Sequence, residues 1–244
     1  MTINNRVVEV TRSGTVVLGT TKEIENLNHD FCLQQYVLLP GLLQSGLLDP
    51  LLPRLETAIF QSRVHGEVGV ELCLTDSRIE GLLGFLANNV TLFQVIECIT
   101  GCGPIGCFGG RVYRMMPGKD HYEDWHNDLA DARLVGMTIN LGKKAFAGGR
   151  LEIRHRVDQK VISRIQNTGF GDAVIFRLAD DVEHRITEVE GIAPKTAFAG
   201  WFKSKPDFFA ELKKGSETVG TTNDWTSKKI VGGLFLGPAS PVEL

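Results

Sequence analysis

The sequence lacks a clear excess of charge of either sign. Its 244 residues include 26 lysines and arginines against 29 aspartates and glutamates, which gives a formal net charge of -3 and an isoelectric point near 6.1. Proteins that bind nucleic acid usually carry an excess of basic side chains that displaces phosphate counterions. The composition therefore predicts no nucleic-acid partner.

The sequence also lacks an export signal and a long apolar run. The first thirty residues mix Asn, Thr, Arg and Glu, without the apolar stretch of a secretory signal. The most apolar region, residues 31–55, is interrupted by Pro40, Pro50 and Pro53, whereas a membrane span needs ~20 mostly apolar residues. We therefore expect a cytoplasmic protein without a membrane partner.

Cysteine is scarce, and its spacing does not favour a metal site. The five cysteines are odd in number and include no Cys-x-x-Cys pair, which favours reduced thiols. Cys98, Cys102 and Cys107 are more widely spaced than the ligands of common zinc motifs. Buried packing is the expected role of these side chains.

We expect a single domain over residues 1–244. Its sequence changes from helical spacing of apolar residues to the alternating pattern of strands. Residues 1–104 read as a mixed helical support region, because apolar positions recur at helical spacing in residues 42–63 and again in residues 82–99. Residues 105–204 read as the core of the domain, and residues 205–244 as a C-terminal extension.

Short runs with a two-residue period dominate the region after Gly101. In residues 133–141, Val135, Met137 and Ile139 share an apolar face, while the opposite face carries small or polar groups, as if it lined a cavity. Similar runs follow at residues 151–155, 161–165, 172–177, 184–189 and 195–202. The pattern predicts a mainly β protein with N-terminal helices and a jelly-roll, cupin-like core, the double-stranded β-helix.

Three side chains in this β region form a candidate metal site. His126 and Asp128 lie two residues apart, and His184 follows 58 residues after His126. Two imidazoles and one carboxylate on one face of an octahedral ion leave three positions open, the arrangement of non-haem iron(II) oxygenases. The chain between them is long enough for several hairpins that return His184 to the first two ligands.

Lys195 begins the last predicted strand and is a candidate partner for an anion. Lys195, Ala197, Ala199 and Trp201 alternate onto one face, so that two small residues leave space beside a cation. A dicarboxylate cosubstrate that chelates iron at one end needs a positive partner for its far carboxylate.

With these residues in this order, the sequence resembles the iron(II) and 2-oxoglutarate-dependent oxygenases, in particular the prolyl 4-hydroxylase-like branch. The resemblance extends over residues 109–202 and consists of the segments VYRMMPG, HND, TINLG, FAGGRLEI, GDAVIF and HRITEVEGIAPKTAFAGWF, in the usual order for the family. It implies that His126, Asp128 and His184 hold Fe(II). It also implies that Lys195 pairs with 2-oxoglutarate, although the basic residue of the family is more often arginine and usually follows the second histidine more closely.

The resemblance further implies the reaction. 2-Oxoglutarate and O2 would be consumed, succinate and CO2 released, and an unactivated C–H bond of an amino acid, a peptide or a small natural product hydroxylated. Ascorbate is a candidate reductant for such an enzyme. The sequence does not choose among these substrates, and it leaves the oligomeric state open.

Several other residues are weaker candidates. His121 and Glu123 form a second His-x-acid pair, but His126 and Asp128 directly precede the strand that should border a metal. Hydroxyl or amide groups of Tyr113, Thr138 and Asn140 could reach the cosubstrate, or these could be ordinary strand residues. There are three further alternatives. His155 could be a metal ligand, and Trp125 could be a gate to the site. A basic cluster of Arg150, Arg154 and Arg156 could attract acidic substrates.

Two other function classes stay open from the sequence. One is a cupin-like metal-binding protein without oxidation, and the other is a metalloenzyme that does not use 2-oxoglutarate. Neither requires Lys195 with its face of small residues, so this residue discriminates among the three classes.

Overall fold

A computed structural model describes residues 6–65, 69–118, 121–130 and 132–204 of the chain. All of these lie in a unit that spans residues 1–208, whereas the predicted C-terminal extension at 205–244 lies outside the described residues. The helices, α1 to α5, are Thr21–Gln34, Ser45–Leu48, Leu52–Thr57, Ser77–Ala87 and Val90–Thr100.

Strands β1 to β15 account for most of the remaining described chain. In order they are Val8–Thr11, Gly14–Val17, Tyr36–Leu39, Phe60–His65, Gly69–Leu74, Cys107–Met115, Glu123–His126, Arg133–Asn140, Ala147–Gly148, Leu151–His155, Val161–Ile165, Ala173–Arg177, Val182–Ile186, Val189–Glu190 and Lys195–Lys203.

Eleven strands of the described chain form one antiparallel sheet that curls into two facing halves. Its order is β11-β10-β13-β7-β5-β6-β15-β8-β12-β3, with β4 paired to β5. One apolar cluster joins the halves, because it combines Ile153 and Ile186 of β10 and β13 with Phe176 and Ala197 of β12 and β15. Two sheet faces closed over one interior form the predicted double-stranded β-helix.

The helices cover the outer face of the half that contains β8 and β15. A second apolar cluster there combines helical residues such as Ile96 and Ile99 with Met137, Ile139 and Phe198 of the sheet. Among the described residues no single helix is long and apolar enough to cross a membrane. Only when α4 and α5 are taken together, with a bend of 65° between them, do their length and composition match those of a membrane span.

Local signals mark the start of α1 and both ends of α5. Thr20 and Glu23 form a capping box at the start of α1, in which each side chain satisfies the other residue's backbone N–H. The side chain of Asn89 accepts hydrogen bonds from two N–H groups of α5, and Gly101 ends that helix at a φ of 64°. Side-chain caps and a left-handed residue supply partners for backbone groups that helix ends leave unpaired.

The β core agrees with the sequence prediction more closely than the N-terminal region does. Strands β8, β10, β11, β12, β13 and β15 all lie within or close to the predicted runs. The helical prediction for residues 42–63 is wrong after Thr57, because residues 60–65 form β4 and pair with β5. The predicted helix over residues 82–99 is two helices, separated at Asn88 and Asn89.

Candidate active site

Two histidines face each other across neighbouring antiparallel strands. His126 is the last residue of β7, and its register partner on β13 is His184. Their ring centroids are 4.3 Å apart, and Phe176 packs against the His184 ring at 4.9 Å. The curl of the sheet therefore returns His184 to His126, as the spacing in the sequence predicts.

Asp128 completes a group of three possible metal ligands. Its Oδ2 lies 3.3 Å from Nε2 of His184 and 3.7 Å from Nε2 of His126. One ligand atom from each of the three side chains lies within 4.8 Å of the others. This donor set and its convergence suit a metal that binds imidazole and carboxylate and keeps positions open.

The three side chains are mutually stabilised by charge. Burial raises the pKa of the Asp128 carboxyl, but hydrogen bonds and charge from His126 and His184 outweigh burial and hold that pKa well below its usual range. Burial lowers the pKa of His126, and contacts with Asp128 and the Asp124 carbonyl outweigh it, so the pKa of this imidazole is raised. Asp128 is thus an anion at neutral pH.

Further contacts orient the triad. Nδ1 of His126 is 2.7 Å from the backbone oxygen of Asp124, which makes Nδ1 the protonated nitrogen and turns Nε2 toward Asp128. Arg133 and Trp201 each donate a hydrogen bond to the carboxylate of Asp128.

A cavity of about 240 Å³ opens over the triad. Its walls are mixed: Met137, Leu151, Phe176 and Ile186 are apolar, and further lining residues are Arg63, His65, Arg111, Tyr113, Glu123, Arg133, Thr138, Ala199, Gly200 and Trp201. A smaller cavity, lined by Lys195 and Ala197 among others, shares Thr138 and Leu151 with it. The face of Lys195, Ala197, Ala199 and Trp201 predicted from the sequence thus borders both spaces.

Lys195 is a buried cation beside the smaller cavity. Its Nζ donates a hydrogen bond to the Gly149 carbonyl oxygen at 2.7 Å and lies 6.0 Å from the centroid of the Tyr113 ring. Burial lowers the pKa of Lys195 to about 8, despite the opposing charge of Glu123. An ammonium has three donors, so within the described chain Lys195 retains two that the Gly149 bond does not use.

The three weaker cosubstrate candidates lie along the same two cavities. Tyr113 is buried, its side chain interacts with that of Thr138, and burial raises the pKa of its hydroxyl. The Asn140 side chain instead holds a loop, since it donates to the backbone oxygens of Thr168 and Gly169 and accepts from the Gly142 N–H. A contact of any of these residues with a cosubstrate stays a prediction.

The competing candidates lie elsewhere. His121 accepts a hydrogen bond from the Met116 N–H at 3.0 Å, and it is outside the group of possible ligands found in the described residues. His155 is exposed at the far end of β10. The ring of Trp125 is flanked by the guanidinium groups of Arg154 and Arg185, and it does not line the cavity over the triad.

The basic cluster is partly neutralised by an acidic neighbour. Two nitrogens of Arg154 donate to a carboxylate oxygen of Glu183, and Arg156 lies 3.8 Å from the same carboxylate. These contacts weaken the interpretation of the cluster as an attractor of acidic substrates.

The sequence did not predict an ionic network at the edge of the cavity. Oε1 of the fully buried Glu71 lies 2.6 Å from Nε of Arg111 and 2.7 Å from Nε2 of His65. Burial raises the pKa of Glu71, but the Arg111 and His65 contacts outweigh it and lower that pKa overall. No short motif connects these three residues, because they come from three different strands.

Part of this chain matches a known protein family. Residues 110–203 match the family model of the 2OG-Fe(II) oxygenase superfamily. The match covers less than half of the chain, and it includes the three possible metal ligands and Lys195. The resemblance predicted from the sequence is confirmed, and so is the expectation of an enzyme of the 2-oxoglutarate-dependent oxygenase class. No curated protein shows significant sequence similarity to this chain.

Solved structures share the fold at low sequence identity. A Pseudomonas putida prolyl-4-hydroxylase is 16% identical, with a TM-score of 0.54 over 75% of this chain and 100% of its own. The alpha ketoglutarate dependent epimerase SnoN from nogalamycin biosynthesis is 15% identical, with a TM-score of 0.59 over 84% and 93%. A Trichoplax adhaerens prolyl hydroxylase is 13% identical, with a TM-score of 0.51 over 84% and 99%. These likenesses confirm the double-stranded β-helix fold predicted from the sequence.

Proposed function

We propose that this protein is an Fe(II)- and 2-oxoglutarate-dependent dioxygenase that hydroxylates an unactivated C–H bond. His126, Asp128 and His184 would hold the iron, and Lys195 would pair with the far carboxylate of 2-oxoglutarate. The observation that carries the proposal is the convergence of the three ligand atoms within 4.8 Å in a cavity that adjoins the space beside Lys195.

The donor set supports iron as the metal. Two imidazole nitrogens and one carboxylate oxygen, all directed into one cavity, match the facial arrangement that non-haem iron(II) oxygenases use. The contact between Nδ1 of His126 and the Asp124 carbonyl supports this role, because it makes Nε2 the ring nitrogen that faces Asp128 and can bind a metal when that nitrogen is deprotonated.

The surroundings of Lys195 support a dicarboxylate cosubstrate. A buried ammonium gains from a charged partner, since burial alone already lowers its pKa to about 8. The small side chains of Ala197 and Ala199 leave space along the same strand between Lys195 and the triad. Tyr113 of β6 and Thr138 of β8, the register partners of Ala197 and Ala199, supply hydroxyl groups beside this space.

The work of the protein in this proposal is to bind, orient and exclude water. When bound, iron and 2-oxoglutarate would supply the oxidation chemistry, in which O2 is reduced, succinate and CO2 are released, and a C–H bond becomes C–OH. Leu151, Phe176 and Ile186 form an apolar wall of the cavity, which limits the access of water to the reacting atoms. No side chain is required as a general base.

The cavity could admit several classes of substrate. An amino acid, a peptide or a small natural product would each be a candidate for the cavity of about 240 Å³, and ascorbate is a candidate reductant. Among the structural neighbours, SnoN is an epimerase and SnoK a carbocyclase, so the product itself must be analysed. Cytoplasmic location and the absence of nucleic-acid and membrane partners stay proposals that rest on composition.

The proposal is tested by spectroscopy without oxygen. Purified metal-free protein that receives Fe(II) and 2-oxoglutarate should develop a weak visible charge-transfer band, because both must chelate at one centre. The His126→Ala variant should show no band, and Lys195→Ala should need far more 2-oxoglutarate to produce it. A wild-type protein that binds Fe(II) without forming the band would instead favour a cupin-like metal-binding protein or an oxygenase without 2-oxoglutarate. Release of succinate with candidate substrates then identifies the substrate class.

A further inference from the structure

The carboxylate of Asp128 is held at both of its oxygens. The indole Nε1 of Trp201 donates to Oδ2 at 2.8 Å, and Nη1 of Arg133 donates to Oδ1 at 3.1 Å. Oδ2 is also the oxygen that faces both imidazoles. The two oxygens therefore have different surroundings. Oδ2 faces the two histidines, and Oδ1 accepts a hydrogen bond from the guanidinium of Arg133.

The two donors also support each other. The guanidinium of Arg133 lies 3.7 Å above the centroid of the Trp201 ring, and the same Nη1 donates to the backbone oxygen of Asp128 at 3.2 Å. Arg133 begins β8 and Trp201 lies on β15, and these two strands pair with each other along most of their length. Stacking on an aromatic face and anchoring on paired strands restrict the motion of both side chains.

We propose that Trp201 and Arg133 are positioning residues that keep Asp128 a one-oxygen ligand. This inference rests on the proposed function, because it requires a metal at the triad. An ionised carboxylate can bind a metal through one or both oxygens, and a second bond from Asp128 would occupy a position needed by cosubstrate or O2. The charge-assisted bond from Arg133 holds Oδ1 away, while Trp201 orients Oδ2 without occupying its other lone pair.

Removal of the indole N–H tests the role of Trp201. Trp201→Phe keeps an aromatic surface beneath Arg133 but cannot donate to Asp128, and we expect its dissociation constant for Mn(II) to rise about 10- to 100-fold, as for other residues that orient metal ligands. Trp125→Phe is the matched control, because the Trp125 ring is flanked by Arg154 and Arg185 and does not line the cavity over the triad. Its Mn(II) affinity should equal that of the wild type.

Substitution of Arg133 tests the one-oxygen arrangement. Co(II)-loaded Arg133→Met should show an altered visible d–d spectrum and weaker binding of 2-oxoglutarate, because the released Oδ1 can then bind the metal. Arg133→Lys, which keeps the charge, should recover part of both. A purely structural role for Arg133 would lower the melting temperature of Arg133→Met and leave the Co(II) spectrum unchanged.

The outcomes separate the two proposals. A wild-type protein that does not bind Mn(II) would overturn the proposed function. If folded Trp201→Phe binds Mn(II) as tightly as the wild type, the proposed role of Trp201 is wrong. If the Co(II) spectrum of Arg133→Met is unchanged, the proposed role of Arg133 is wrong. Neither result would affect the proposed function. Circular dichroism establishes that each variant is folded, and the Arg133→Lys and Arg133→Met pair decides the question if Trp201→Phe does not fold.

Discussion

The ring of Phe176 lies over Gly136, its register partner on the neighbouring strand, and also packs against the ring of His184. A Cβ at position 136 would overlap the Phe176 ring. Glycine at this position therefore determines where one wall of the candidate metal site can lie.

A larger side chain at position 136 should disturb the site through Phe176. We expect Gly136→Val to lower the free energy of unfolding by about 1–3 kcal/mol, the usual cost of overpacking, and to weaken Mn(II) binding because His184 loses its support. Urea denaturation and Mn(II) titration measure the two effects. The control is Gly81→Ala in the exposed part of α4, where a Cβ meets no atom within 4 Å and should stabilise the helix by up to about 1 kcal/mol. Equal Mn(II) affinity in Gly136→Val and the wild type would contradict this account.

The buried charge of Lys195 should make stability depend on alkaline pH. Its pKa is about 8 in the folded chain against an ordinary value of 10.5, so between these values the unfolded chain binds more protons and stability rises with pH. The free energy of unfolding of the wild type relative to Lys195→Met should increase by up to about 3 kcal/mol from pH 7.5 to pH 10.5, since one pKa unit equals ~1.4 kcal/mol. Lys143→Met, at an exposed lysine, should show no such change relative to the wild type, and a flat difference for Lys195→Met would refute the prediction.

The same titration should affect the binding of 2-oxoglutarate. Only the charged form of Lys195 can pair with a carboxylate, so the affinity of the Mn(II)-loaded protein for 2-oxoglutarate should be constant below pH 8 and fall above it. Isothermal titration calorimetry over pH 7–9.5 measures this. In Lys195→Arg the guanidinium stays charged throughout, so the affinity of this variant, even if weaker, should not change over the same range. Parallel pH profiles for both proteins would argue against Lys195 as the partner.

The Glu71 network should be important for stability although the sequence does not reveal it. Glu71→Ala leaves the half-buried Arg111 without its closest anion, and we expect the free energy of unfolding to fall by about 3 kcal/mol. The matched control is Asp49→Ala, which removes an exposed partner of Lys143 and should cost less than about 1 kcal/mol. Urea denaturation at neutral pH compares them, and similar losses in the two variants would show that burial of Glu71 adds nothing.

Much of the β core could be predicted from the sequence because burial on one face leaves a two-residue period. In β8, Val135, Met137 and Ile139 are all buried, and Thr138 between them lines both cavities, as the alternation predicts. Strand β4 could not be predicted in this way, since most of its residues are exposed and it lacks an apolar face. Helix α1 was missed because only Leu27 and Phe31 are buried within its 14 residues.

Some residues of the candidate site could likewise be predicted from the sequence, and others could not. His126, Asp128, His184 and Lys195 could be proposed from residue type and spacing, because the order of strands in this fold determines which positions return to one another. The roles of Arg133 and Glu71 could not, because the contact of Arg133 with Asp128 and of Glu71 with Arg111 depends on side-chain directions that no residue pattern specifies. Trp201 was assigned to the correct face, but its bond to Asp128 has no signature in the sequence.

The curl of the sheet also has a consequence for the order of events in folding. Strand β3 pairs with β12, and β7 pairs with β13, so the closing contacts join segments that lie far apart in the chain. Pairings of this kind form slowly, because a long loop must be closed before any contact compensates its loss of entropy. His184 can meet His126 only when β13 has docked. A metal at the proposed site would therefore bind near the end of folding, and it would stabilise the completed sheet without initiating its formation.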